Sequence, residues 1–595
     1  MGRLAEMIAA SAGALSRATG RGGGTSLPGM VLNRLEPGAL ARLGGGLGGG
    51  AVYISATNGK TTTARLLSAC LRADGRDVTA NAAGANLASG VTTALLVRER
   101  HRRSAERAGR RTVGLLHRPA SPRHAGSTLG RDGTKSPGSL KTRDGADGAE
   151  RGDHHAGAHG RDNADAQVTG CGGIGVFEVD EGALPAIAGS LQPRAVVLMN
   201  LFRDQLDRYG ELEAIAERWG DLLAGRSLGP ATTLVLNADD PALAHLGSLR
   251  NPAPMFQPYW PEGAPESIAG DPADAPATRP PAPAGAPEAA GANPPEPTAS
   301  AGFLPPALER IGGDPPNVVL FGIDDPDVGR PDLPHAADTV RCVNCGGPLS
   351  HDLVTVGHLG HWRCEACGLQ RPQPHISARR VRLDGLDRLE LTIAGTDGPG
   401  GADLEISAAL GGLHNAYNVT AAIAAAVALG VPAEAVTEGI AGVQAAFGRA
   451  EQVGLDGRTL RLLLAKNPTG ANENIRCLLA EPGPLNLLVA LNDRTADGRD
   501  PSWIWDVDYE PLWDRIGSLT LAGDRCWELA LRFSYGGLDP ARFEVRESLP
   551  EALDSAVAAT PPGGVLYALP TYTALLDLRA ELVRRGATHD FWQET

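Results

Sequence analysis

The sequence predicts an α/β protein in which a mainly parallel sheet surrounds a phosphate-binding loop and carries an inserted zinc ribbon. A second, smaller α/β domain follows. Three observations carry this reading. Short apolar segments alternate with helical ones along most of the chain, a Gly-Lys-Thr-Thr run joins one such segment to a helix, and two Cys-x2-Cys pairs lie in the same region.

The chain has 595 residues, 42% of them hydrophobic, enough for more than one core. A formal charge of 55 − 69 = −14 gives a nucleic-acid partner no electrostatic support. No run of about 18 apolar residues occurs, so no membrane-spanning helix is expected. The N-terminal stretch is interrupted by Glu6 and Arg17, and Leu4, Met7, Ile8 and Leu15 recur at helical spacing. It reads as an amphipathic helix rather than a signal peptide. The chain is therefore expected in the cytoplasm, where paired cysteines indicate metal more often than disulfide.

Three regions are expected: residues 1–49, an N-terminal helix and loop; 50–447, a central domain; and 448–595, a smaller C-terminal domain in which the alternation of strand and helix resumes. Residues 101–168 are rich in Arg, His, Gly, Ser and Asp, and 261–301 in Pro, Ala, Gly and Glu. Neither stretch can bury enough apolar surface to offset ordering entropy, so both are expected to be disordered surface insertions. Strands are expected at Ala51–Ser55, Ile174–Val179, Ala195–Met199 and Thr233–Leu236, then at Leu487–Leu491, Ser518–Ala522 and Val565–Ala568. Helices are expected from about Thr61, over Glu211–Leu223 and over Asn415–Leu429. Apolar strands alternating with helices imply a parallel sheet covered on both faces.

The segment Thr57-Asn58-Gly59-Lys60-Thr61-Thr62 follows the first strand and opens a helix. Backbone N–H groups at a helix N-terminus hold phosphate oxygens. Lys60 would reach the β- and γ-phosphates, and the Thr61 hydroxyl would bind Mg2+. The leading glycine of the usual loop is absent, with Ser55 standing near its place.

Further motifs follow in order: Phe177-Glu178-Val179-Asp180-Glu181 at a strand end, Asn200 to Asp207, Asn237-Ala238-Asp239-Asp240-Pro241, Gly412-Leu413-His414-Asn415-Ala416-Tyr417-Asn418, and Phe447-Gly448-Arg449-Ala450-Glu451. Together with the loop they resemble the Mur ligase family over nearly the whole chain outside the insertions. The resemblance implies an ATP-dependent ligase that activates a carboxylate as an acyl phosphate. It implies that Glu178 holds a second Mg2+ and that Asn200 and Asp204 shape the same site. It also implies that His414, Asn415 and Asn418 contact the nucleotide, and that Arg449 at the domain junction belongs to the ATP- and Mg2+-binding set.

Three departures narrow the resemblance. Gln205 stands where the family has a metal-binding histidine. The segment Ile215-Ala216-Glu217-Arg218-Trp219 lacks the lysine that many members carbamylate. The C-terminal Asp-Asp-Tyr-Ala-His element is replaced by Lys466-Asn467-Pro468-Thr469-Gly470-Ala471-Asn472. With Leu491-Asn492-Asp493, Ala496 to Asp500, Ser502 to Asp506 and Leu569 to Thr573, the chain is similar to the amidating members of that family. That likeness implies that the incoming amine is ammonia and that the acceptor is the α-carboxyl of D-glutamate in the lipid II stem peptide, reached at the inner face of the membrane. It further implies a GatD-like glutaminase partner whose catalytic triad is completed by an aspartate of this chain. Asp506 is favoured for that role and Asp500 is the alternative, while a solvated acidic loop over a Trp503–Trp505 pair is the plain reading. A stand-alone amino-acid-adding or folylpolyglutamate-type ligase is the competing class, and the missing lysine and altered C-terminal element count against it.

Cys342-x2-Cys345 and Cys364-x2-Cys367 are separated by 18 residues, the spacing of a zinc ribbon, here placed at 338–372. Four thiolates leave no open position, so the zinc is expected to be structural. The nearby His351, His358 and His361 are expected at the surface. Of the other cysteines, Cys70, Cys477 and Cys526 fall in helices, and Cys171 precedes a strand instead of following one. None suits a glutaminase nucleophile, which requires an exposed strand-to-helix elbow.

Overall fold

A computed structural model describes residues 2–18, 25–82, 84–116, 173–191, 193–204, 212–224, 228–229, 231–250, 318–335, 337–396, 402–443 and 449–588. The expected insertion 261–301 and Cys171, Gln205 and Asp207 lie outside them.

Helices α1 (Gly2–Ala18), α2 (Leu27–Leu35) and α3 (Ala39–Gly44) come first. Then follow β1 (Ala51–Ser55), α4 (Lys60–Ala73), β2 (Val78–Ala80), α5 (Ala88–Leu116), β3 (Ile174–Glu178), α6 (Leu184–Ala188), β4 (Ala195–Leu198), α7 (Leu212–Ala224), β5 (Thr233–Asn237), α8 (Pro241–Arg250) and β6 (Val318–Ile323). A hairpin, β7 (Leu349–Val354) and β8 (Gly360–Cys364), precedes β9 (Ile376–Asp384), β10 (Arg388–Ala394), β11 (Leu404–Ala408), α9 (Leu413–Ala428) and α10 (Ala433–Ala441). The rest of the chain comprises β12 (Arg449–Leu455), β13 (Arg458–Leu463), α11 (Pro468–Ala480), β14 (Leu485–Ala490), β15 (Ile516–Ala522), α12 (Cys526–Tyr535), β16 (Glu544–Arg546), α13 (Leu549–Ala559), β17 (Val565–Pro570) and α14 (Tyr572–Arg584).

The first sheet has nine strands in the order β11-β10-β9-β6-β5-β4-β1-β3-β2. It is parallel from β2 to β9 and antiparallel across β9, β10 and β11. Strands β1, β3, β4 and β5 are buried at every position, as apolar strands with helices on both faces must be. One face packs on α4, α9 and α10 through Leu66, Leu67, Ile423 and Ile440, and the other on Leu95, Trp219 and Leu243. The chain runs from β1 to β3 and β2 on one side and to β4 and β5 on the other. The crevice where such an order reverses, at the carboxyl ends of the strands, is where α/β sheets bind ligands. The second sheet has six strands, β12-β13-β17-β14-β15-β16, parallel except for β12.

Three expectations need correction. Helix α5 runs to Leu116, into the stretch 101–168 assigned to a disordered insertion. Ala, Arg and Glu are strong helix formers, and Arg102 pairs with Glu106 one turn on. Composition over a long window hid this local preference. Helix α1 forms, but Leu4, Met7, Ile8 and Leu15 are exposed, and it is Ala5, Ala9 and Glu6 that are buried. Small residues allow close approach to α2, and Glu6 pairs with Arg42. The third correction concerns His358, which is completely buried rather than at the surface.

Candidate active site

The loop Thr57–Thr62 joins β1 to α4 at the reversal point. Gly59 has φ of 95°, and a Cβ there would fall 2.0 Å from Asn418 Oδ1, so only glycine fits. The loop is held from β4's end: Asn58 N–H donates to Asn200 Oδ1 (2.9 Å), Asn200 Nδ2 donates to Asn58 O (3.0 Å), and Phe202 N–H donates to Thr57 Oγ1 (3.0 Å). Asn418 in turn donates to Asn415 Oδ1 at 2.8 Å, so α9 backs the loop with the pair that the resemblance assigns to nucleotide.

Glu178 ends β3 and accepts from Thr61 Oγ1 at 2.6 Å and from Gly84 N–H at 2.7 Å. Lys60 is largely buried and bonds to Glu181 Oε2 at 2.8 Å and to the carbonyl of Ala56. Burial works against its charge, but Glu181 outweighs burial and holds its pKa above the ordinary lysine value. Asp204 pairs with Lys466, which also donates to Thr57 O at 3.1 Å. Burial raises the pKa of Asp204, and the attraction of Lys466 only partly offsets this. Asp204 Oδ1 is buried with no hydrogen-bond partner among the described residues. Glu181 and Lys466 were quoted within their motifs but given no role. The signal for Glu181 was its place three residues after Glu178, on the same turn out of β3.

Lys466 and Asn467 follow β13 of the second sheet. Asn467 exchanges side-chain amide bonds with Asn58 at 3.2 Å and caps α11 by accepting from Gly470 N–H at 2.9 Å. A cleft therefore runs between the two sheets, lined by Asn58, Gly59 and Asn200 and by the apolar Val356, Leu359 and Leu410. His414 and Asn415 also line it. Arg449 opens β12, and its side chain lies outside the described residues.

Asp506 stands apart from this cluster. It ends a short helix, Pro501–Asp506, and pairs with Arg203 at 3.2 Å, while Arg203 also holds Asp338. Asp500 caps that helix by accepting from Ser502 N–H at 2.9 Å. Asp497 is buried and accepts from Thr573 N–H (2.7 Å) and Thr573 Oγ1 (2.5 Å). Trp505 is half exposed, packed edge-on to Tyr535.

The sulfurs of Cys342, Cys345, Cys364 and Cys367 all lie within 4.8 Å of one another, with Cys342 and Cys367 at 3.6 Å and Cys345 and Cys364 at 3.5 Å. Zinc–sulfur bonds of about 2.3 Å place tetrahedral sulfurs about 3.8 Å apart, so the donor set fits zinc.

Residues 464–575 match the family model described as "MurT ligase C-terminal". The chain is 29% identical over 416 residues, 69% of its length and 75% of the relative's, to the lipid II isoglutaminyl synthase (glutamine-hydrolyzing) subunit MurT of Streptococcus pneumoniae (strain ATCC BAA-255 / R6). It is 25% identical over 571 residues, covering 96% of this chain and 95% of the relative, to the MurT subunit of Staphylococcus aureus (strain N315). Among solved structures, its fold is similar to a pseudomurein peptide ligase type C from Methanothermus fervidus, with a TM-score of 0.52 and 16% identity over 90% of this chain and 78% of that one. It is also similar to MurF from Acinetobacter baumannii, with a TM-score of 0.51 and 13% identity over 93% of this chain and 81% of that one. These likenesses span both sheets and the loop between β1 and α4: residues 464–575 are a MurT ligase C-terminal domain, and over nearly its whole length the chain is similar to MurT subunits and has the fold of the Mur ligases.

Proposed function

We propose that this chain is the ligase subunit that amidates the α-carboxyl of D-glutamate in the lipid II stem peptide, giving D-isoglutamine at the expense of ATP. Ammonia comes from a glutaminase partner. The observation that carries the reading is the meeting of Lys60, Glu178, Asp204 and Lys466 at the loop, in a chain whose relatives over both domains bear that activity in their names.

ATP binds with its phosphates on the backbone N–H groups of Asn58 to Thr62 and its base in the cleft beyond. The substrate carboxylate oxygen attacks the γ-phosphorus, the bond to the β-bridging oxygen breaks, and ADP leaves. Lys60 and Lys466 face the charge that develops on the transferring group. Ammonia then attacks the acyl carbon. The C–N bond forms, the C–O bond to phosphate breaks, and the nitrogen releases a proton. Thr61, Glu178 and Asp204 are the oxygen donors that would hold Mg2+, which when bound neutralises phosphate charge. The unsatisfied Asp204 Oδ1 fits that role. The four cysteines would hold structural zinc.

Hydroxylamine in place of ammonia tests the acyl phosphate. The chain with ATP and lipid II should form a hydroxamate, and Lys60→Ala should lower its rate about 10²–10³-fold. Equal hydroxamate from Lys60→Ala would overturn the reading.

A further inference from the structure

The hairpin β7–β8 has the four-cysteine site at one end and a five-residue tip, Thr355–Leu359, at the other. That tip reaches the nucleotide cleft. Val356 and Leu359 line it together with Leu410, Leu386 and Leu463. Val356 is 3% and Leu359 1% exposed. The triphosphate is anionic and the ribose polar, so the faces of the base are the part of ATP that an apolar wall suits. The same cleft is lined by Glu473, whose Oε2 is buried with no hydrogen-bond partner among the described residues. A buried acceptor left open in this way suits a ligand N–H.

The tip is held on three sides. Thr355 Oγ1 lies 2.6 Å from Tyr417 Oη, between His414 and Asn418 on α9, and Tyr417 donates to Asp239 Oδ2 at 2.5 Å. Arg476 of α11 donates to Thr355 O at 2.9 Å. His358 packs edge-on to Phe202 at 5.1 Å between ring centres and lies 3.7 Å from Asp240. Gly357 has φ of 60°, and a Cβ there would fall 2.8 Å from Phe202 and 3.2 Å from Thr469. The tip is thus wedged between the first sheet's layer and α11, against the cleft.

The other end of the hairpin explains why a ribbon is inserted here. A two-stranded hairpin alone is marginal in water. Cys364 ends β8, and with Cys342, Trp362 and Leu369 it packs against Ala244 of α8. Trp362 Nε1 donates to Ala238 O at 3.2 Å, and Gly360 N–H donates to Asp239 O at 3.1 Å. Metal closure fixes the knuckles, the knuckles fix β8, and β8 delivers the tip.

We propose that the tip Thr355–Leu359 is the wall of the nucleotide pocket that meets the base, and that the metal at the far end of the hairpin sets nucleotide affinity by holding this wall in place. The proposal rests on the assignment of the cleft to ATP. It makes the zinc ribbon part of the binding machinery rather than a remote brace.

Calorimetric titration of the full metal-loaded chain with ADP, and separately with inorganic tripolyphosphate, tests it. Val356→Ala/Leu359→Ala should weaken ADP binding about tenfold through lost apolar contact, leaving tripolyphosphate binding unchanged. Metal-stripped wild type that keeps its circular-dichroism spectrum should show the same selective loss, and stripping the variant should add little. Arg476→Gln, which frees the carbonyl of Thr355 without removing apolar volume from the cleft, gives a second route to the same loss should the double variant fold poorly. Unchanged ADP affinity in these variants, or an equal loss of both probes, overturns the proposal. Wild-type protein that binds neither probe instead sinks the assignment of the cleft to ATP.

Discussion

The Thr61 hydroxyl donates to Glu178 Oε2 over 2.6 Å, tying the first turn of α4 to the end of β3 where phosphate and metal would meet. Thr61→Ala removes one oxygen donor and leaves the loop's backbone intact. It should lower ligase turnover about 10²-fold and raise the Mg2+ concentration needed for half-maximal rate, because a metal-holding group is gone. A titration of rate against Mg2+ checks this. A lowered rate with an unmoved Mg2+ requirement would place Thr61 outside the metal site.

One zinc per chain should be found by elemental analysis of the purified protein. The double variant Cys342→Ser/Cys364→Ser should lose it and melt at a lower temperature, since a closed four-thiolate site contributes folding free energy. Full zinc occupancy in that variant would rule out the four-cysteine site.

Asp324 supplies a pH-dependent contribution to stability. Burial alone would raise its pKa, but His361 at 3.5 Å and the charge of Arg371 at 2.9 Å pull it down to about 2. A depressed carboxylate stabilises the fold above its unfolded pKa of about 4, and that stabilisation is lost as pH falls towards 2. Asp324→Asn should cost about 2 kcal/mol at neutral pH, and the difference from wild type should shrink below about pH 4. Urea unfolding at several pH values reads both. A difference independent of pH would assign the loss to packing instead.

Asp506 is half exposed beside Trp505, and Arg203 holds its carboxylate at 3.2 Å, whereas Asp500 is committed as a helix cap. An aspartate that completes a partner's triad needs a free face and a fixed orientation. With the glutaminase subunit present, Asp506→Asn should cut glutamine-driven amidation about 10³-fold while ammonium-driven amidation stays near wild type. Equal rates with glutamine in the two proteins would remove Asp506 from that role.

Much of this site was legible because its residues are local to strand ends. Glu178 ends and Asn200 closely follows apolar strands whose limits the structure moves by one residue, and the Gly59–Lys60–Thr61 turn declares itself by its place between β1 and α4. The four cysteines were legible from spacing alone. The pairings were not. Lys466 meets Asp204 across 262 residues, and no periodicity links the two. His358 was misplaced because a histidine in a turn between two short strands usually faces water, while here the whole turn is driven between Phe202 and α11. Helix α1 shows the limit of pattern reading: its large apolar residues recur at helical spacing, yet the packed face is the one with the smallest side chains.

The nitrogen donor is the most direct test of the central claim. The isolated chain is incubated with ATP, Mg2+ and lipid II, and the stem peptide is analysed by mass spectrometry after reaction with ammonium or with glutamine. Among the described cysteines, Cys70, Cys477 and Cys526 are buried within or at the start of helices, and the other four cluster together at the hairpin's end, so none is placed as a glutaminase nucleophile. The account predicts D-isoglutamine with ammonium and none with glutamine until a glutaminase subunit is added. No amidated product with ammonium, at saturating ATP and Mg2+, would contradict it.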